Sequence, residues 1–219
     1  MVTLTTVSSE SPIVESLISQ WATPEDHAEA KLRQSHTRRQ DFLVARATLR
    51  ALLTHETGRG DWRICPDANG KPQALTATGI VGPYISLSHT RGLVACVVSE
   101  AGLVGVDVEY WRARDFIALA DYAFGPQECE EVAQGGISAF YRIWTLREAV
   151  AKAIGVGLMT TFDGHDCVAG APASGCWMTE TWQLFYASPK TNYSFALATK
   201  GEDVWSDASL LWFDMASMV

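Results

Sequence analysis

The stretch GLVGVDVEYW, residues 102–111, decides how this chain is read. Val104, Val106 and Val108 alternate with Gly105, Asp107 and Glu109, a period of two that predicts a strand with its valines on one face. Asp107 and Glu109 then project from the opposite face, about 7 Å apart along the strand. Two acids on so apolar a strand leave two readings open. Either the strand is a wet edge whose outer face is solvated, or the paired carboxylates hold a cation. No His or Cys stands beside them, so the cation would be a hard one. Two carboxylates are too few for a closed calcium cage but suit Mg²⁺, which keeps waters and recruits phosphate oxygens.

Working outward, PYISLSH (83–89) and LVACVVSE (93–100) are strands joined around Thr90-Arg91-Gly92. With 102–111 close behind, the three predict a meander. ANGKP (68–72) is turn chemistry. Nearer the N-terminus a weak strand precedes Thr23-Pro24, a helix start with acids in its first turn. Residues 36–54 form an amphipathic helix, with Phe42, Leu43, Ala45, Leu49, Leu52 and Leu53 inward. Arg38, Arg39, Arg46 and Arg50 concentrate positive charge on its remaining surface. Downstream come a helix near 113–122, a second opening at FGPQECEEVA, and a third, AFYRIWTLREAVAKAIG, capped by Gly155. WMTETWQLFYA and YSFALATK alternate as strands. Each half thus reads as helices plus antiparallel strands, an α+β protein of two similar-sized lobes.

The 219 residues, 47% hydrophobic and 19% charged, are ordinary globular composition with ample material for a core. A net charge of −8 argues against nucleic acid or an anionic membrane as partner, although a local basic pocket remains open. Five scattered cysteines without a CxxC pair argue for a reducing compartment and against a zinc knuckle. The first residues lack the basic and apolar regions of a signal peptide, and no apolar run could span a bilayer. A cytoplasmic protein is expected.

The third helix carries the second informative pattern. Ile143, Leu146, Val150, Ala153 and Ile154 fall on one arc, the core face. Glu148 and Lys152, four apart, stack on the other side with Trp144 and Tyr141. An exposed ion pair would account for the charges, but large aromatics are seldom left on a fully solvated face. His89 closes ISLSH beside Ser88 and Thr90, donors that with Arg91 suit a phosphate better than a metal. Read alone, His89 and Lys71 would pass as ordinary surface residues. Phosphate-loop, nucleophile-elbow, HExxH and GxGxxG motifs are absent. His165-Asp166-Cys167 reads as a loop. A carboxylate pair, a helical Glu-Lys pair and a scattered basic set together indicate chemistry on an anionic, phosphorylated small molecule.

In order and content these blocks resemble the 4′-phosphopantetheinyl transferases of the larger, surfactin-synthetase-activating and enterobactin type. GVDVE (105–109) resembles the family's G-[IV]-D-[IV]-E, and WTLREAVAKAIGVGL (144–158) its W-[ST]-x-K-E-A-x-x-K-x-x-G-x-G-L. SLSHT (86–90), GKP (70–72) and RRQDFLVARATLR (38–50) resemble its Ser-His strand end, Gly-Lys-Pro turn and N-terminal arginine helix. Arg147 departs from the usual lysine while keeping the charge.

The resemblance implies two similar α/β lobes related by a pseudo-twofold, 1–104 and 105–219, with coenzyme A (CoA) in the cleft between them. It implies an enzyme of the holo-[acyl-carrier-protein] synthase kind, a monomer dependent on Mg²⁺ or Mn²⁺. Such an enzyme moves phosphopantetheine from CoA to a serine of an acyl or peptidyl carrier protein. Asp107 and Glu109 would hold the metal; Glu148 would join them, accept the serine proton directly or through a metal-bound water, or do both; and Lys152 would meet the diphosphate. His89 and Arg38, with Arg46, would hold the 3′-phosphate, and Lys71 and Ser88 would line the nucleotide site. Residues 111–140, with Phe116, Leu119 and Phe124, would dock the carrier or pack in the core. Two rivals stand beside this reading: an inactive module that binds CoA or a carrier, and a Mg²⁺-dependent phosphohydrolase.

Overall fold

The computed structural model describes residues 2–156, 165–201 and 211–212. In chain order the elements are β1 (Val2–Ser8), α1 (Val14–Trp21), α2 (Pro24–Ala30), α3 (His36–Thr57), β2 (Arg63–Pro66), β3 (Pro72–Leu75), β4 (Tyr84–Thr90) and β5 (Leu93–Ser99). There follow β6 (Gly102–Tyr110), α4 (Phe116–Ala123), α5 (Pro126–Ile154), β7 (Gly175–Met178), β8 (Gln183–Ala187), β9 (Tyr193–Gly201) and β10 (Leu211–Trp212).

Local chemistry accounts for most boundaries. At the expected helix start of α2, Thr23 and Asp26 form a capping box, with Pro24 in the first turn. Ser35 caps α3, which runs three residues past expectation to Gly58 at φ 67°. ANGKP closes a β2–β3 hairpin, where Asp67 Oδ1 accepts from the amides of Asn69 (2.8 Å) and Lys71 (2.9 Å). α1 was not expected. Val14 and Leu17 are buried, and Ile18 and Trp21 pack beside them at helical spacing.

The meander is corrected. β4 and β5 pair as expected, but β6 does not join them. The free edge of β5 is taken by β1 along seven residues, and β1 pairs in parallel with β10. β6 instead pairs with β9 along nine residues, in a second sheet of order β6-β9-β8-β7.

Among the described residues, three apolar clusters then organise the fold. α1 and α3 cover one face of the first sheet, where Val44 and Leu52 meet Val94, Cys96 and Val98. α4 and α5 cover the second, where Phe140 and Val150 meet Leu184, Ala196 and Ala198. The remaining sheet faces pack on each other through Leu4, Leu93 and Val97 against Val104, Val106, Val108 and Leu197. The three valines of the opening stretch are therefore the seam between the sheets.

The arginine face of α3 is also corrected. Only Arg38 and Arg39 are exposed; Arg46 and Arg50 turn inward. Asp26, held by its capping box, pairs with Arg50 and lies 3.9 Å from Arg46. Arg46 also donates to the Ile64 carbonyl (3.2 Å), and Arg50 to that of Trp62 (3.2 Å). With Glu29 3.6 Å from Arg46, both guanidinium groups are ion-paired and hydrogen-bonded, as buried charge requires.

α5 contains both expected helices, which meet at Gly136 (φ 64°, ψ −148°). Its core face holds Ile143, Leu146, Val150 and Ala153, whereas Ile154 is 43% exposed. Tyr141 belongs to the core rather than to an open face. Among the described residues, no helix is long and apolar enough to cross a membrane.

Candidate active site

Gly105 faces α5, opposite the valine seam. A Cβ there would overlap the backbone of Ala149 and Ala153, so glycine permits the closest approach of β6 to α5. That contact sets Asp107, two residues on, beneath Lys152. Lys152 Nζ donates to Asp107 Oδ1 (2.7 Å) and to Ser88 Oγ (2.8 Å). Ser88, from β4, passes its own hydrogen to the same Oδ1 (2.8 Å). Ser86 accepts from the Val106 amide at 3.1 Å, which ties β4 to β6 without a ladder. Three elements from two sheet-and-helix layers thus meet at one carboxylate.

Asp107 is 3% exposed, and its Oδ2 is buried with no hydrogen-bond partner among the described residues. Such an orphaned oxygen is costly and calls for a ligand. Trp144, Glu148 and Lys152 follow at successive i+4 positions as the half-buried stripe of α5. Burial, then repulsion from Asp107, pushes Glu109 up to about 7. The same causes raise Glu148, and Lys152 opposes both. Burial against mutual repulsion is a cost that a bound cation would relieve. The donor set, all oxygen, fits a hard divalent ion. Among the described residues, however, no three acidic, His or Cys side chains close into a ready-made cage.

Two cavities flank this junction. One of about 300 Å³ lies between Gly70-Lys71-Pro72, Ile85–Leu87, Lys152 and Gly155. Here Lys71 Nζ donates to the Ala153 carbonyl (2.6 Å), at the negative end of α5, and burial lowers its pKa. The other, about 520 Å³, brings Arg38 of α3 to His89. The His89 ring is exposed at the cavity surface, yet the surrounding protein pushes its pKa down. Asp41 opposes that shift, and Lys152, Arg33 and Arg38 reinforce it. Arg46 does not line this cavity; it is held in the Asp26 network instead.

Sequence reading missed several residues here. Arg33, Asp41 and Arg112 line the His89 cavity from segments that were not connected to it. Arg147 is fully buried, paired with Glu128 and donating to the carbonyls of Ala123 (2.8 Å) and His165 (3.0 Å). The 165–167 loop caps α5 from outside, since Asp166 Oδ1 accepts from the Glu128 amide (3.0 Å). Phe124 is buried, and Phe116 and Leu119 pack beside it against the same core cluster. Gly157 and Leu158, the end of the 144–158 motif, lie outside the described residues.

Residues 103–198 match the model of the 4′-phosphopantetheinyl transferase superfamily, a span holding Asp107, Glu109, Glu148 and Lys152. The chain is 28% identical over 170 residues to the 4′-phosphopantetheinyl transferase HetI of Nostoc sp., covering 74% of this chain and 72% of that one. It is 35% identical over 88 residues to the 4′-phosphopantetheinyl transferase AcpT of Salmonella typhi, 38% of this chain and 44% of the other. To AcpT of Escherichia coli O157:H7 it is 32% identical over 120 residues, 52% and 57% of the two chains.

Proposed function

Since the chain belongs to the 4′-phosphopantetheinyl transferase superfamily, we propose that it moves phosphopantetheine from CoA to a serine of an apo acyl or peptidyl carrier protein. The observation that carries this reading is the shared contact of Lys152, Ser88 and Asp107 where the two layers join, with Glu109 and Glu148 beside it. We take the layers as two lobes, 1–104 and 105–219, related by a pseudo-twofold, with β10 returning to the first sheet. We further read the chain as a cytoplasmic monomer of the surfactin-synthetase-activating type and the holo-[acyl-carrier-protein] synthase kind.

In the proposed reaction the serine oxygen bonds to the β-phosphorus as the phosphorus–oxygen bond to 3′,5′-ADP breaks. Glu148 takes the serine proton as general base. Lys152 donates to the diphosphate and stabilises the charge left on the departing nucleotide. His89 and Arg38 hold the 3′-phosphate, and Lys71 and Ser88 line the nucleotide site. Asp107, Glu109 and Glu148 would hold Mg²⁺ or Mn²⁺, which when bound supplies charge neutralisation at the diphosphate.

Mass spectrometry of several apo carriers incubated with CoA, Mg²⁺ and the protein tests the reading. A phosphopantetheine adduct on serine is expected. CoA binding without any adduct would indicate an inactive binding module. Release of phosphopantetheine without a carrier would indicate a phosphohydrolase.

Metal binding has a separate check in thermal stability. Glu109 is raised from 4.5 to about 7, so without metal its ionisation costs the folded state progressively as pH climbs through that window. A bound divalent cation removes this cost. The rise in Tm on adding Mg²⁺ should therefore be small near about pH 5 and large above about pH 7.5. An equal rise at both ends would overturn the metal assignment.

A further inference from the structure

The His89 cavity holds more positive charge than one histidine and one arginine require. In a chain of net charge −8, it gathers Arg33, Arg38, Arg91 and Arg112 around one carboxylate among the described residues, Asp41. Asp41 already accepts from Ser9 Oγ at 2.5 Å, and Arg33 is turned to Glu29 at 3.3 Å. Arg38, Arg91 and Arg112 form no ion pair among the described residues. Unneutralised guanidinium groups in one concavity are the electrostatic complement of a compact polyanion.

Arg91 and Arg112 are also held in place. Arg91 sits at φ 36°, in the left-handed region that favours glycine, and strain of this kind gathers at ligand sites. Its guanidinium stacks over Tyr110 at 4.3 Å, and its carbonyl accepts from Tyr193 Oη at 3.0 Å. Tyr193 in turn meets Tyr110 edge to face at 5.0 Å. Arg112 is fixed through its backbone: the hydroxyl of buried Tyr141 accepts from its N–H (2.8 Å) and donates to its carbonyl (3.4 Å). The side chain of Arg112 remains exposed toward the cavity it lines. The turn between β4 and β5 and the exit of β6 each present a positioned arginine, and the reaction as read so far uses neither.

We propose that Arg91 and Arg112 complete the anion site and determine specificity for a ligand ending in a phosphomonoester dianion. Resting on the function proposed above, this means CoA in preference to its 3′-dephospho form. Planar guanidinium groups bind phosphate oxygens two at a time, so two added arginines contribute discrimination as well as charge.

The test is the ratio of kcat/KM for CoA over 3′-dephospho-CoA with one apo carrier. Arg91→Gly keeps the turn, because glycine suits its φ, and Arg112→Gln keeps polarity. Each should shrink the ratio at least about tenfold, and Arg91→Lys should lie between wild type and Arg91→Gly. Calorimetry of 3′,5′-ADP against 5′-AMP needs neither carrier nor turnover, and the preference for the former should shrink in parallel. Variants that keep the wild-type ratio and the wild-type nucleotide preference overturn the proposal. So does a rise in carrier KM alone, which would make these arginines a docking surface for an acidic protein. A wild-type protein that transfers nothing from CoA would instead sink the functional reading, and the nucleotide preference would still decide the anion site.

Discussion

Asp107→Asn should lower phosphopantetheine transfer by at least about a thousandfold while leaving a folded protein. Removal of one electrostatic group from a water-excluded site typically costs two to three orders of magnitude in rate. Asp107 serves two roles at once. Its Oδ1 orients Lys152 and Ser88, and its buried Oδ2 is the oxygen left over for a cation. The amide keeps the shape of the side chain but supplies no charge to either role. Stability should suffer little, because Lys152 is about one-third exposed and its ammonium can return to water. The substitution also removes the Asp107 repulsion that raises Glu109 and Glu148. The pH-dependent response of Tm to Mg²⁺ should therefore fade together with activity. Turnover within about tenfold of wild type would remove Asp107 from the site.

The motif residues were legible because their pattern is local. Alternation along 104–109 placed the valines and acids on opposite faces, and the faces are as read: seam on one side, α5 on the other. The i+4 spacing of Glu148 and Lys152 likewise put them on one stripe. Pairing between distant segments was not legible. Nothing within 102–111 says that β9 rather than β5 will be its neighbour, since that depends on β1 occupying the β5 edge. Arg46 and Arg50 read as a solvated face because their partner Asp26 belongs to another helix, although the helix start that carries it was visible. Tyr141 looked like a cleft aromatic, yet its hydroxyl is committed to the backbone of Arg112, 29 residues away. Helix α1 is a different kind of miss. Val14, Leu17, Ile18 and Trp21 carry helical spacing, but eight residues give a weak periodic signal beside a neighbouring strand.

Arg147 shows how a residue inside a motif can serve the fold rather than the chemistry. Removing one partner of a fully buried ion pair leaves the other charge uncompensated, a loss of about 3–5 kcal/mol. The two partners should not be equivalent. In Arg147→Ala, Glu128 stays charged but still accepts from the amides of Cys167 (2.9 Å), Val168 (2.8 Å) and Gly125 (3.2 Å). In Glu128→Ala, a guanidinium remains in the core while those same amides lose their acceptor. Glu128→Ala should therefore fall at the upper end of that range and Arg147→Ala at the lower, by denaturant titration. Arg147→Lys keeps the charge without the planar fork that reaches Glu128, Ala123 and His165 together, so it should cost less than either. Because this pair ties α5 to the end of α4 and to the 165–168 loop, the loss should appear in Tm before it appears in kcat. Arg147→Ala within about 1 kcal/mol of wild type, or a kcat collapse at unchanged Tm, would return Arg147 to the reaction itself.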